Sequence, residues 1–162
     1  MHLFMLTYID IEENLILLAN NYSPEEQYDI MEIDQYINTL SETEQEVIRQ
    51  FRKAITENDN TVSESFGKFM SNPNAISFNE QGVFKYGLTV AKNYISFHSL
   101  VIYTNPELME ELKLKLPKAK FQKGCINFKT LDEFPASVLA EHIQASSKID
   151  FSPMINRYLK KK

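Results

Sequence analysis

The spacing of apolar residues changes once along this chain, from a helical period to a period of two. A stripe at three- and four-residue intervals comprises Val47, Ile48, Phe51, Ala54 and Ile55. Ser41 and Glu44 precede this stripe at the spacing of an N-terminal capping box, and residues 23–26 repeat that spacing upstream. The pattern therefore predicts two helices, one beginning near Pro24 or shortly before Ile33 and one beginning after Ser41.

From Ala75 onward, apolar and polar residues alternate over three short segments. The apolar members are Ile76, Phe78, Phe84, Tyr86, Leu88, Val90, Ile95 and Phe97. Such alternation is typical of antiparallel strands with one buried face, and residues 81–82 and 92–93 supply short connections between them. A wetter face of the sheet is then expected to carry Lys85, Thr89, Ser96 and His98.

The remaining segments complete an α+β pattern. We expect a loop over residues 57–74, because Asn, Ser, Asp and Glu dominate that stretch. A helix is predicted after Asn105, a fourth strand at residues 125–128, and two further helices after Pro135 and Ser152. The sequence therefore predicts an α+β domain with an antiparallel sheet of about four to five strands and helices packed on one face.

Charge is distributed unevenly along the chain, although the net charge is only −5. Most acidic residues lie at or before Glu80, and most lysines follow it, a polarity that steers ions and charged partners. The single cysteine, Cys125, excludes an internal disulfide and fits a reducing compartment. We recognise neither a signal peptide nor a membrane span, so the sequence indicates a cytoplasmic protein.

Motifs that carry catalysis or tight metal binding are missing from the sequence. There is no nucleophile elbow and no glycine-rich phosphate loop. His2, His98 and His142 lack the spacing that places two zinc ligands on one helical face. The sequence therefore favours a binding or carrier protein over an enzyme.

Several segments together carry a family resemblance. They are the opening helix EIDQYINTLSETEQEVIRQFRKAI, the strand pair GVFKYGLTVAKNYISFHS, the lysine turn AKFQKGCINFK and the helix DEFPASVLAEHI. From Glu32 to the C-terminus the chain resembles the YdhG-like domain family, whose fold is similar to that of frataxin. The resemblance implies an α+β domain over residues 32–162 and an N-terminal extension over residues 1–31. The apolar residues of that extension suit either an edge strand with Leu3, Met5 and Tyr8 or a packed helix with Leu15, Ile16 and Leu18.

The same resemblance implies iron handling, because members of this family have been proposed to act as intracellular iron chaperones. The acids in the corresponding positions of this chain are Asp34, Glu42, Glu44 and Glu46. Carboxylate oxygens are hard ligands that suit iron, and an exposed acidic helix would release the cation readily to an iron-accepting protein. The alternative is that these acids only cap and solvate their helices.

A lysine-rich loop gives a competing interpretation. Lys113, Lys115, Lys118, Lys120 and Lys123 surround Phe121. With Lys92, the last three of these lysines form the candidate site for a partner: Lys92, Lys118, Lys120 and Lys123. Such a site suits an anion, a nucleic acid or an acidic protein. Nucleic acid is the least favoured of these, because the loop lacks an arginine for reading bases and the chain is acidic overall.

Overall fold

The computed structural model describes residues 21–162, so the interpretations made for residues 3–18 lie outside the described part of the chain. The helices are α1 (Pro24–Asn38), α2 (Glu42–Asn58), α3 (Leu100–Thr104), α4 (Pro106–Lys115), α5 (Ala136–Ser147) and α6 (Ser152–Leu159). The strands are β1 (Val62–Phe69), β2 (Asn72–Glu80), β3 (Val83–Val90), β4 (Ile95–Ser99), β5 (Lys120–Gln122) and β6 (Cys125–Phe128). The predicted α+β class is confirmed.

The first two helices begin at the two predicted capping boxes. In the second box, the Ser41 hydroxyl accepts a bond from the backbone N–H of Glu44, and the Glu44 carboxylate accepts one from the backbone N–H of Ser41. Ser23 and Glu26 make the same reciprocal pair at the start of α1. Helix α1 then runs without a break across the predicted domain boundary between residues 31 and 32.

Six strands form one antiparallel sheet in the order β1-β2-β3-β4-β6-β5. The predicted count of four to five strands is therefore too low, because two strands were missed. One is β5, which lies in the lysine-rich loop, and the other is β1, which lies where a loop was expected over residues 57–74. That expectation is wrong because polar side chains of β1 find partners: Glu64 receives two bonds from Arg52, and Ser65 accepts one from Asn79. Context of this kind overrides the low strand propensity of the segment.

The core lies between one face of the sheet and the helices. The sheet contributes Ile76, Phe78, Tyr86, Leu88, Ile95, Phe97, Ile126 and Phe128. The helices contribute Ile33, Ile37, Phe51, Ile55, Val101, Leu112, Leu139, Ile143 and Ile155. The Phe51 ring is the centre of this packing, with its centroid 5.0 Å from those of Phe128 and Phe134. The predicted arrangement of helices on one sheet face is confirmed.

The opposite face of the sheet is drier than predicted. Thr89 and Ser96 were expected to line a wet surface, but they are buried, and His98 is half-buried. Lys85 was expected on this face too, but an irregularity in the pairing of β2 with β3 turns it to the helix side, where its ammonium group contacts Asp59 and the Phe151 ring. The rings of Phe69 and Phe84 stack 4.4 Å apart on this face. A Cβ atom at Gly87 would lie only 2.8 Å from the Phe84 ring, so the absence of a side chain at Gly87 lets that ring pack against the sheet. The other end of the face, on β4, β6 and β5, carries the candidate site.

Candidate functional site

Three of the four acids predicted to bind iron have separate local roles, and the fourth, Glu42, is exposed in the first turn of α2. Asp34 accepts a bond of 3.0 Å from Arg52, whose guanidinium is also held by Glu64. Glu44 is engaged in its capping box, and Glu46 accepts a bond of 3.2 Å from Gln50. Among residues 21–162, no group of three or more His, Cys, Asp or Glu side chains is placed to hold a metal ion.

The lysines predicted for partner binding separate into two concavities. Lys118 and Lys120 line a cleft of about 430 Å³ at the end of β4, β6 and β5, which we call the sheet-end cleft. Lys92 lies in the β3–β4 turn next to Asn93, which lines this cleft. Lys123 lies instead in a groove between α4 and β5. The lining of the sheet-end cleft comprises Asn93, Tyr94, Lys118, Lys120, Gln122, Asn127, Phe128, Lys129 and Glu133.

Strand register explains why polar side chains converge at this end of the sheet. Residues directly opposite each other on neighbouring strands share a face. One such row across β4, β6 and β5 is Ser96, Asn127 and Lys120, and the next row is His98, Cys125 and Gln122. Because one row joins three strands, its polar residues form a surface that none of the strands carries alone.

The first row presents hydrogen-bond donors to the cleft. The Ser96 hydroxyl donates to the Asn127 amide oxygen at 2.6 Å. Since that oxygen is engaged, Asn127 is left with its two N–H donors, and Lys120 lies beside it on β5. Lys129 and Lys118 add two more ammonium groups. Donors therefore dominate the polar groups of this surface.

Acids near the cleft reduce its positive charge only in part. Lys118 pairs with Asp132 at 2.5 Å, and the hydrogen bond and charge of Asp132 raise the pKa of Lys118. Glu133 lines the cleft and accepts a bond of 2.8 Å from the backbone N–H of Lys129. Lys120 makes no ion pair with any acid in the described chain. Three lysines and one glutamate line the cleft, so its charge is net positive.

The second row contains the two groups with the chemistry of a nucleophile and a base. A bond from the Ser99 N–H to the Gly124 carbonyl makes that pair hydrogen-bonded, so the adjacent His98–Cys125 pair is of the closer, non-hydrogen-bonded kind. Burial lowers the pKa of His98 to about 4 and raises the pKa of the Cys125 thiol. Both side chains are therefore neutral at neutral pH, and the pair lacks the thiolate of a reactive cysteine.

The sheet-end cleft continues into a wider one on the same sheet face. Tyr94, Gln122 and Asn127 line both clefts, and the second one, of about 520 Å³, extends past His98 to the β1–β2 turn at Met70. The Thr89 hydroxyl and His98 Nε2 lie 2.8 Å apart on its floor. The joined surface therefore has a basic end and a neutral, polar end.

The sequence interpretation missed a buried ion cluster at the opposite end of the sheet. Lys85 Nζ lies 2.8 Å from Asp59 Oδ2 and 2.7 Å from Glu80 Oε2, and the Tyr86 hydroxyl donates to Asp59 at 3.0 Å. Thr61 donates to the other oxygen of Asp59. Because both carboxylate oxygens of Asp59 are occupied, we assign this cluster a structural role. A lysine in an alternating strand gave the only signal for it.

Comparisons with known proteins give no relative of this chain. No protein-family model, curated protein or solved structure matches it. The resemblance to the YdhG-like family therefore stays a prediction. Within residues 21–162, every helix is too short or too polar to span a lipid bilayer.

Proposed function

We propose that this protein is a binding module for a small anionic ligand, which it holds in the sheet-end cleft without chemical change. The observation that carries this proposal is the row of Ser96, Asn127 and Lys120, in which an oriented amide and a free ammonium group lie side by side. Lys118 and Lys129 complete the positive side of the cleft. The proposal is the alternative drawn from the lysine-rich loop, with Lys129 added and Lys123 removed.

The donor chemistry favours an anion over a cation. Phosphate and carboxylate oxygens accept several bonds at once, and bonds from ammonium groups to these oxygens are among the stronger hydrogen bonds in proteins. A volume of about 430 Å³ lies within the range of small-ligand sites. Affinity that depends on such exposed lysines should fall as salt concentration rises.

A binding function also suits the neutral groups next to the cleft. Burial raises the pKa of Cys125, so it stays a weakly nucleophilic thiol, and the pKa of His98, lowered to about 4, makes its imidazole a weak base. A cytoplasmic location is part of the proposal and rests on the free thiol of Cys125, which suits a reducing compartment.

The test is a titration of the ¹⁵N-labelled protein with inorganic phosphate and then with pyrophosphate, followed by amide NMR. We expect saturable shifts at Lys120, Asn127 and Lys129, and about tenfold weaker binding, or 1.4 kcal/mol, in Lys120→Glu. Lys148→Glu is the matched control, because Lys148 is an exposed lysine that lies outside the cleft. Shifts that spread over all lysines, or equal weakening by both variants, would reject the proposed site.

A further inference from the structure

The groove between α4 and β5 is a second concavity, separate from the sheet-end cleft in most of its lining. It has a volume of about 640 Å³, and its apolar part consists of Ile102, Tyr103, Pro106, Met109 and Phe121. Tyr103 is 60% exposed, and Met109 and Phe121 are only partly covered by the core. The groove therefore offers apolar surface that the described chain does not bury.

One wall of this groove is the edge of the sheet. Strand β5 is last in the strand order and pairs with β6 on one side only. Among the described strands, none covers its other side, so β5 presents backbone N–H and C=O groups there. An exposed strand edge of this kind is a template for an extended chain, which adds main-chain bonds to it.

The charges along the edge specify what kind of chain would fit. Lys120 begins β5 and Lys123 directly follows it, and both are exposed and make no ion pair with a described acid. Lys113 also lines the groove, where it pairs with Glu110 at 2.8 Å. The edge is therefore positive, and an acidic chain complements it.

The side chains of β5 point alternately to the two faces of the sheet, which specifies the sequence pattern of an acidic chain that binds there. Phe121 faces the core side of the sheet with Ile126, whereas Lys120 and Gln122 face the opposite side with Asn127 and Cys125. A strand added to β5 would follow the same alternation. Its apolar side chains would enter the groove beside Phe121, and its acidic side chains would lie on the other side near Lys120.

We propose that the groove between α4 and β5 binds an extended peptide of alternating acidic and apolar residues, which joins the sheet as a strand beside β5. The peptide supplies apolar side chains to the surface of Tyr103 and Met109 and carboxylates to Lys120 on the other side, and the charge of Lys123 in the groove attracts the acidic chain. Lys120 belongs to both proposed sites, but Tyr103 and Lys123 belong to the groove alone, since neither lines the sheet-end cleft.

The probe is a fluorescein-labelled hexapeptide of alternating Asp and Leu, titrated with the full chain and followed by fluorescence anisotropy. We expect saturable binding that weakens about tenfold, or 1.4 kcal/mol, in Lys123→Glu and in Tyr103→Ser. Lys148→Glu and Tyr28→Ser are the matched controls, because Tyr28 is 64% exposed and neither residue lines the groove. Amide NMR spectra of all variants verify that the fold is retained.

Two further peptides separate strand addition from simple attraction. A hexapeptide of the same sequence with alternate amides N-methylated keeps the charges and side chains but loses half of its backbone donors, and we expect it not to bind. A Lys-Leu hexapeptide should not bind either. Equal binding of either peptide, or no binding of the Asp-Leu peptide at millimolar protein, would overturn the proposal. A dimer that Tyr103→Ser abolishes would assign the groove to a second copy and would also overturn it.

Inorganic phosphate distinguishes this site from the proposed anion site. Lys123→Glu should leave phosphate binding in the sheet-end cleft within about twofold of the original, while it weakens the peptide about tenfold. If the original protein binds the peptide but not phosphate, the anion site alone is rejected. If the original protein binds phosphate but not the peptide, the groove alone is rejected.

Discussion

Asp59 and Lys85 form an ion pair of 2.8 Å in which the two side chains are 0% and 1% exposed. Burial would raise the pKa of Asp59, but hydrogen bonds from Lys85 and Thr61 lower it below its usual range. Asp59 follows the last residue of α2, and Lys85 lies at an irregularity in the pairing of β2 with β3. The pair therefore fixes the end of a helix against the centre of the sheet.

Replacing Lys85 should destabilise the protein strongly. In Lys85→Met, the carboxylates of Asp59 and Glu80 lose their shared cation, and removal of one partner from a buried pair costs about 3–5 kcal/mol. Urea unfolding measures this loss. The double variant Asp59→Asn with Lys85→Met should cost less than the sum of the single variants. Additive costs would show that the two side chains do not act as a pair.

His142 should make stability depend on pH in mildly acidic solution. Burial, aided by the charge of Lys115, lowers its pKa from 6.5 to about 4. Between these values the unfolded state binds more protons than the folded state, so stability falls as pH falls from 6.5 to 4. The shift corresponds to a loss of about 3 kcal/mol. The difference between the pH–stability curves of the original protein and His142→Gln measures it, and parallel curves would contradict it.

Gly87→Ala tests how closely Phe84 packs on the sheet. The added Cβ would lie 2.8 Å from the Phe84 ring, which is itself stacked on Phe69. Overpacking of this kind costs about 1–3 kcal/mol. We expect thermal unfolding to show that the cost is smaller in a Phe84→Leu background, where the ring is gone. The same cost in both backgrounds would place the strain elsewhere.

Ser96→Ala tests whether the orientation of Asn127 matters for anion binding. The variant removes the bond that engages the Asn127 oxygen, so the amide is free to turn away from the donor arrangement. Phosphate affinity should fall by about 1 kcal/mol, the usual net value of one hydrogen bond. Ser65→Ala is a close control, because it removes a bond between a serine and an asparagine at the other end of the sheet, where Asn79 donates to Ser65. If both variants bind phosphate equally well, Asn127 does not orient the ligand.

Iron carriage by the acidic helices makes a distinct prediction. Arg52 neutralises Asp34, and Glu44 serves its cap, so ferrous iron should act first at the exposed acids Glu42 and Glu46. Anaerobic titration followed by amide NMR would then show broadening at these residues that a chelator reverses. Glu42→Lys with Glu46→Lys should remove it. Broadening that survives in this variant, or none at excess iron, would reject iron binding by these acids.

Local signals in the sequence predicted the parts of the fold that depend on neighbours along the chain. Ser41 and Glu44 are three residues apart, and their capping box is present as predicted. Strand β1 was missed because its polar side chains are satisfied by partners on distant segments, as Glu64 is by Arg52. Lys85 was placed on a wet face because an alternating pattern shows neither the irregularity that turns it to the helix side nor the acids that allow its burial.

The candidate site was the least predictable part for the same reason. Two of its lysines, Lys118 and Lys120, were identified from the charge of the loop. The bond between Ser96 and Asn127 joins residues 31 positions apart, and it depends on the register between β4 and β6. A shift of one residue in that register would turn Asn127 toward the core. Composition and periodicity do not contain that information.

The order of strands in the sheet has a consequence for how the molecule assembles. Strands β1 to β4 pair with one another in sequence order, whereas β6 must reach β4 across the segment that holds α3, α4 and β5. Local pairings close quickly, and distant ones carry the larger loop-closure cost. The β5–β6 hairpin should therefore dock late and detach first, which native-state hydrogen exchange would detect as lower protection at Ile126 than at Leu88. A bound anion would then stabilise the docked β5–β6 hairpin, which is the last part of the sheet to fold.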